Sequence, residues 1–144
     1  MNSLIYFIIG LLPLLFFSIK DLKYSKVENQ YIIAYLFLAV GVVLWTGNYL
    51  TQGILLLFWT IYGGMMWHFD CLGGADYKIL IINSIFINLI TPNLIAGQFM
   101  FIMLLGINGL MYGMFSKLIQ RKKEIPFIPV ITLTYILTYL LWTV

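Results

Sequence analysis

Residues 72–80 read LGGADYKIL, an acid and a base set between two long apolar runs, directly after paired glycines. Where the fourth helix of the chain begins depends on this stretch. A helix starting only at Ile79 and ending at Pro92 would be about 21 Å long at 1.5 Å per residue. That falls short of a hydrocarbon core of roughly 30 Å. Starting near Ala75 lengthens the span and places Asp76 in its first turn, at the membrane boundary.

Outward from this stretch, six apolar segments can be drawn, at 3–19, 31–46, 53–69, 75–92, 94–115 and 127–144. Most lie at the short end of the roughly 17–25 residues that cross a bilayer. The spacing predicts an all-α polytopic membrane protein of about six transmembrane helices, forming a single domain over residues 1–144. Composition agrees. The chain has 62% hydrophobic and only 9% charged residues, where a soluble domain carries roughly 25% charged residues. The opening MNSLIYFIIGLLPLLFF has no basic residue before its apolar run and no small-x-small cleavage site after it, so it reads as a retained first helix. Cys71 and His68 are the single residues of their kinds. A disulfide framework or a multi-cysteine zinc site within the chain is thereby excluded, and no cofactor or metal is expected.

The connections set the expected topology. All eight Lys and Arg fall in three places: Lys20, Lys23 and Lys26 after the first segment, Lys78 at the third junction, and Lys117, Arg121, Lys122 and Lys123 after the fifth. TGNYLTQ and the turn around Thr91, Pro92 and Asn93 carry no charge. Basic residues in short loops stay on the cytoplasmic side. The pattern predicts both termini outside and a multi-pass protein of the inner (cytoplasmic) membrane. The net charge of +3 then reflects topology, not nucleic-acid binding. All five acids, Asp21, Glu28, Asp70, Asp76 and Glu124, fall on the same expected side.

Asp76 in a first turn can serve simply as a cap for free N–H groups, but an acid near membrane depth is also a candidate functional group. Asp21 lies near the end of its helix, where the dipole disfavours a carboxylate. Taken alone it reads as an interfacial acid paired with Lys20 or Lys23. Taken together, two carboxylates on two helices at one membrane face meet the need of an aspartyl protease. One is ionised to activate water, the other is protonated to donate to the scissile carbonyl, and a close pair titrates as a unit. The helix ends imply that Asp76 ionises more readily and Asp21 holds its proton.

These residues carry a resemblance. DLKYSKVEN (21–29) is similar to the D-x(6)-P-N motif of the prepilin peptidases and their archaeal preflagellin relatives; Asp21 and Asn29 match, and Glu28 replaces the proline. GGADYK (73–78) resembles their G-x-G-D-x-K motif; Gly73, Asp76 and Lys78 match, and Ala75 replaces the second glycine. Before the last segment, KKEIPFIPV gives Pro126, Phe127 and Pro129, similar to the family's basic stretch and P-F-x-P. The resemblance covers nearly the whole chain. It implies a membrane aspartyl endopeptidase with Asp21 and Asp76 as the catalytic pair and Asn29, Gly73, Gly74, Lys78, Pro126 and Phe127 in support. The implied substrates are the leaders of type IV pilin-like or archaellin-like precursors, cut at the cytoplasmic face. Larger bacterial members carry a cytoplasmic domain with paired CxxC motifs and methylate the new N-terminus. Here the connection is about residues 20–30 with no cysteine, so no methyltransferase activity is expected.

The other residues singled out have plainer readings. Asp70 is a rival acid or an interfacial one; His68, Cys71 and Glu124 read as interfacial, small and solvated respectively. Lys78 can act on Asp76 or on lipid phosphate. Gly73 and Gly74 form a flexible lead-in, and Gly109 with Gly113 forms a GxxxG suited to close helix packing. Trp45, Tyr49 and Trp59 read as interface anchors. Three rival functions are a small proton- or cation-coupled transporter, which would need acids at mid-membrane depth, a presenilin-like intramembrane protease, and a non-catalytic assembly subunit, which would tolerate loss of either aspartate. The lipid bilayer is an expected partner in every case.

Overall fold

The computed structural model describes residues 3–24, 26–69, 73–91, 93–115 and 126–143, without the side chains of 94 and 115. Among them there are six helices and no strand: α1 (Ser3–Tyr24), α2 (Asn29–Thr46), α3 (Tyr49–His68), α4 (Gly74–Ile90), α5 (Leu94–Phe115) and α6 (Ile128–Thr143). The all-α expectation holds. Four helices, α1, α2, α3 and α5, are long and apolar enough to cross a membrane. α4 and α6, at 17 and 16 residues, are shorter.

Each helix follows from its apolar run, with ends set by local chemistry. α1 continues past the apolar segment through Lys20 and Asp21 to Tyr24, because Lys and Leu are good helix formers and Asp21 finds a buried seat. α2 ends at Gly47, whose positive φ of 71° is the left-handed conformation that glycine adopts without strain and whose N–H returns to the Val43 carbonyl. α4 begins at Gly74, close to the start expected from the span argument.

α4 is the centre of the bundle and packs against all five other helices. It is lined by buried residues on every side, including Ile79, Leu80, Asn83, Ser84, Phe86 and Ile87. This burial explains why a short helix carries two polar residues at mid-length. α1 and α6 pair antiparallel: Asp21 meets Ile128, Ser18 meets Thr132 (Oγ–Oγ1 2.7 Å), and the Tyr135 hydroxyl donates to the Tyr6 carbonyl. Gly10 is the point of closest approach, since a Cβ there would lie 2.6 Å from the Tyr135 hydroxyl and 2.9 Å from Phe86 Cγ. Tyr35 stacks on Phe86 and meets Phe17 edge-on, tying α2 to α4 and α1.

Two expectations are corrected. Trp59 is not an interface anchor: it is fully buried, donates its indole N–H to Gln98 Oε1 at 2.8 Å and packs edge-on against Phe101. Trp45 and Tyr49, by contrast, are exposed at the α2–α3 turn. Gly109 and Gly113 do not act together as a helix-packing notch. Gly109 faces the Phe127 ring, and a Cβ at Gly113 would meet open space.

Candidate active site

The end of α1 and the starts of α2, α4 and α6 meet at one end of the bundle. Asp21 sits in the last turn of α1 and is buried. Its Oδ2 accepts the backbone N–H of Ile128, the first residue of α6, at 3.2 Å. The carboxylate at the C-terminus of one helix therefore lies at the N-terminus of another, where the dipole favours it. Pro126 and Phe127 lead into this contact. Pro126 is buried, and Phe127 packs against Gly109 while its carbonyl accepts the N–H groups of Val130 and Ile131. Pro129 falls in the first turn of α6, where a missing N–H costs nothing.

Asp76 lies in the first turn of α4. Its Oδ2 accepts the Gly73 N–H at 3.1 Å, the reach-back half of a capping box. The cap reading of Asp76 is thus correct as geometry, and it is compatible with a second role. The Asp21 and Asp76 carboxylates are close enough for their charges to repel one another. Since both carboxylates take one backbone N–H at a helix N-terminus, the helix ends do not distinguish which acid holds a proton.

Gly73 adopts ordinary extended backbone angles as the residue before the helix, and Gly74 opens it. A Cβ at 73 would lie 2.9 Å from Asp76 Oδ2, so a larger residue there would shift that carboxylate. Lys78, one turn further, donates from Nζ to Asn29 Oδ1 at 3.0 Å. This bond ties the start of α4 to the start of α2 and joins two sequence motifs 49 residues apart.

Sequence reasoning missed Tyr77, between Asp76 and Lys78. Its ring fills a notch over Gly63 in α3, stacks on Trp67 at 6.2 Å, and its hydroxyl donates to the Thr60 carbonyl at 3.4 Å. A Cβ at Gly63 would lie 2.7 Å from that ring. The paired glycines at 63 and 64 facing an aromatic in the next helix are a faint signal for such a notch. Deeper in the bundle, Tyr35 donates to Asn83 Oδ1 at 3.3 Å, and Gln98 donates to the Ser84 carbonyl at 3.3 Å. These mid-depth groups are neutral.

His68 is exposed at the end of α3 beside Phe69. Asp70, Cys71, Lys117, Arg121, Lys122, Lys123 and Glu124 lie outside the described residues. Among those described, no three His, Cys, Asp or Glu side chains gather as a metal site. No family model, curated protein or solved structure matches the chain.

Proposed function

We propose that this chain is a membrane aspartyl endopeptidase of the prepilin-peptidase type. It would cut the leaders of type IV pilin-like or archaellin-like precursors at the cytoplasmic face of the cell membrane. The observation that carries the reading is convergence. Three motifs far apart in sequence meet at one end of the bundle: Asp21 is held by Ile128 behind Pro126 and Phe127, Asp76 lies near enough to Asp21 for their charges to repel, and Lys78 holds Asn29. In this reading all six helices span, the short ones sheltered inside the bundle, and both termini lie outside.

The chemistry follows from the pair. One carboxylate, ionised, takes a proton from water as it attacks the scissile carbonyl; the other, protonated, donates to the carbonyl oxygen. When the tetrahedral species collapses, the leaving amine takes a proton and the pair returns to its singly protonated state. Methyl transfer is not part of this reading. The transporter reading has less support, because the mid-depth buried side chains are the neutral Tyr35, Asn83 and Gln98. A presenilin-like protease would need substrate access at greater depth than the helix ends where Asp21 and Asp76 sit.

The test is leader cleavage in membranes. The chain is co-expressed with pilin-like precursors from its own genome and the size shift read by immunoblot. The native chain and Asp70→Asn are expected to cut, while Asp21→Asn and Asp76→Asn each abolish cutting. Persistent cleavage by either of these two variants overturns the assignment of the pair. No cleavage by the native chain returns weight to the transporter.

A further inference from the structure

A groove of about 430 Å³ runs along the bundle surface between α2 and α4. Asn29 and Lys78 line one end, and Ile32, Ile33, Leu36, Ile81 and Ile82 line the rest. Its chemistry is graded. Asn29 is the first residue of α2 and Lys78 lies in the second turn of α4, so the polar end opens where the helices begin. The apolar lining follows one to two turns deeper.

Lys78 is exposed, and among the described residues its ammonium bonds Asn29 and no carboxylate. An ammonium has three donors, one of them given to Asn29, and the asparagine amide has two more, so this end offers several N–H groups and, among the described residues, a cation with no carboxylate hydrogen-bonded to it. A second groove, of about 550 Å³ between α1 and α2, is lined by Ile5, Phe37, Leu38, Trp45 and neighbours with no charged residue. The α2–α4 groove therefore has a head that the other lacks.

We propose that the α2–α4 groove seats one anionic phospholipid. Its phosphate binds Lys78 and Asn29, and an acyl chain lies over Ile33, Leu36 and Ile81. A protein helix is the poorer occupant. A helix with an apolar flank would cover Ile33, Leu36 and Ile81 but bring no anion to the Lys78 ammonium at the groove's head. A basic leader segment would also be repelled at Lys78. The proposal does not rest on the peptidase reading, although Lys78 and Asn29 belong to the motifs that meet at the candidate active site.

The full chain, purified in detergent, is given equal amounts of phosphatidylglycerol and phosphatidylcholine with the same acyl chains. Bound lipid is counted by native mass spectrometry. Phosphatidylglycerol is expected to be favoured about fivefold, the preference that one interfacial lysine confers. Lys78→Gln should bring the ratio near one, while Lys78→Arg and the control Lys23→Gln keep it. Ile33→Trp, which fills the groove below an intact Lys78, should lower binding of both lipids. A ratio near one in the native chain, or a preference that survives Lys78→Gln, overturns the proposal. So does displacement of phosphatidylglycerol by inorganic phosphate at matched ionic strength, which would mean a phosphate site without a lipid seat. Displacement by an equimolar apolar helical peptide would assign the groove to a protein partner instead.

Discussion

Asp21 occupies the last turn of α1, beside Lys20 and Lys23, where a carboxylate is expected to be solvated and unfavourable. Instead it is buried and accepts the first N–H of α6. Removing the acceptor and removing the charge are therefore separable changes. Asp21→Asn keeps an oxygen for the Ile128 N–H; Asp21→Ala leaves that donor buried and unmet. Thermal unfolding in detergent should find Asp21→Ala less stable than Asp21→Asn by about 1–2 kcal/mol, while neither variant cuts a precursor. If Asp21→Asn is stable and still cuts, Asp21 is only a cap. The residue was legible as a candidate because of its spacing to Asn29. Its partner was not, since Ile128 lies 107 residues away and carries no polar side chain.

At the scale of elements, the contact between α3 and α4 rests on Gly63 and the Tyr77 ring. Gly63→Leu should force the ring out of its notch and destabilise the protein by about 1–3 kcal/mol. Adding Tyr77→Ala should recover part of that loss by reopening the space. Gly53→Leu, on the same helix but facing open space, should change the unfolding midpoint little. Equal effects at 53 and 63 would show that helix α3 alone, not the notch, responds. Most helices were legible, because apolar runs of this length leave few alternatives. Their ends were less so. α3 begins at Tyr49, ahead of the apolar run at 53, and α1 runs on to Tyr24. In both cases polar or charged residues continue a helix that packing supports, and composition alone stops too early. Trp59 shows the same limit: an aromatic in a membrane segment gives no sign of whether it faces lipid or a buried glutamine.

In the whole molecule, burial is concentrated on α4, and buried polar groups are mostly paired with neighbours on other helices. Gln52 is an exception: it is 1% exposed, and neither amide atom has a partner among the described residues. An unpaired buried amide costs about 1–3 kcal/mol. Gln52→Met, similar in shape and without the amide, should raise the unfolding midpoint in detergent; a fall would mean that the amide is engaged in the native protein. That α4 is central could not be read from its sequence, which carries no sign that it packs against all five other helices. The position of its first turns carries one more consequence. Successive side chains on a helix point about 100° apart, and Asp76, Tyr77 and Lys78 address α1, α3 and α2 in turn. Two of these sides are contacts to neighbouring helices, so a rotation of α4 about its axis would break the Tyr77 contact with α3 and the Lys78 bond to α2 together. Under the proposed peptidase reading, room for an extended peptide beside the two acids would come from displacement of the surrounding helices rather than from a turn of α4.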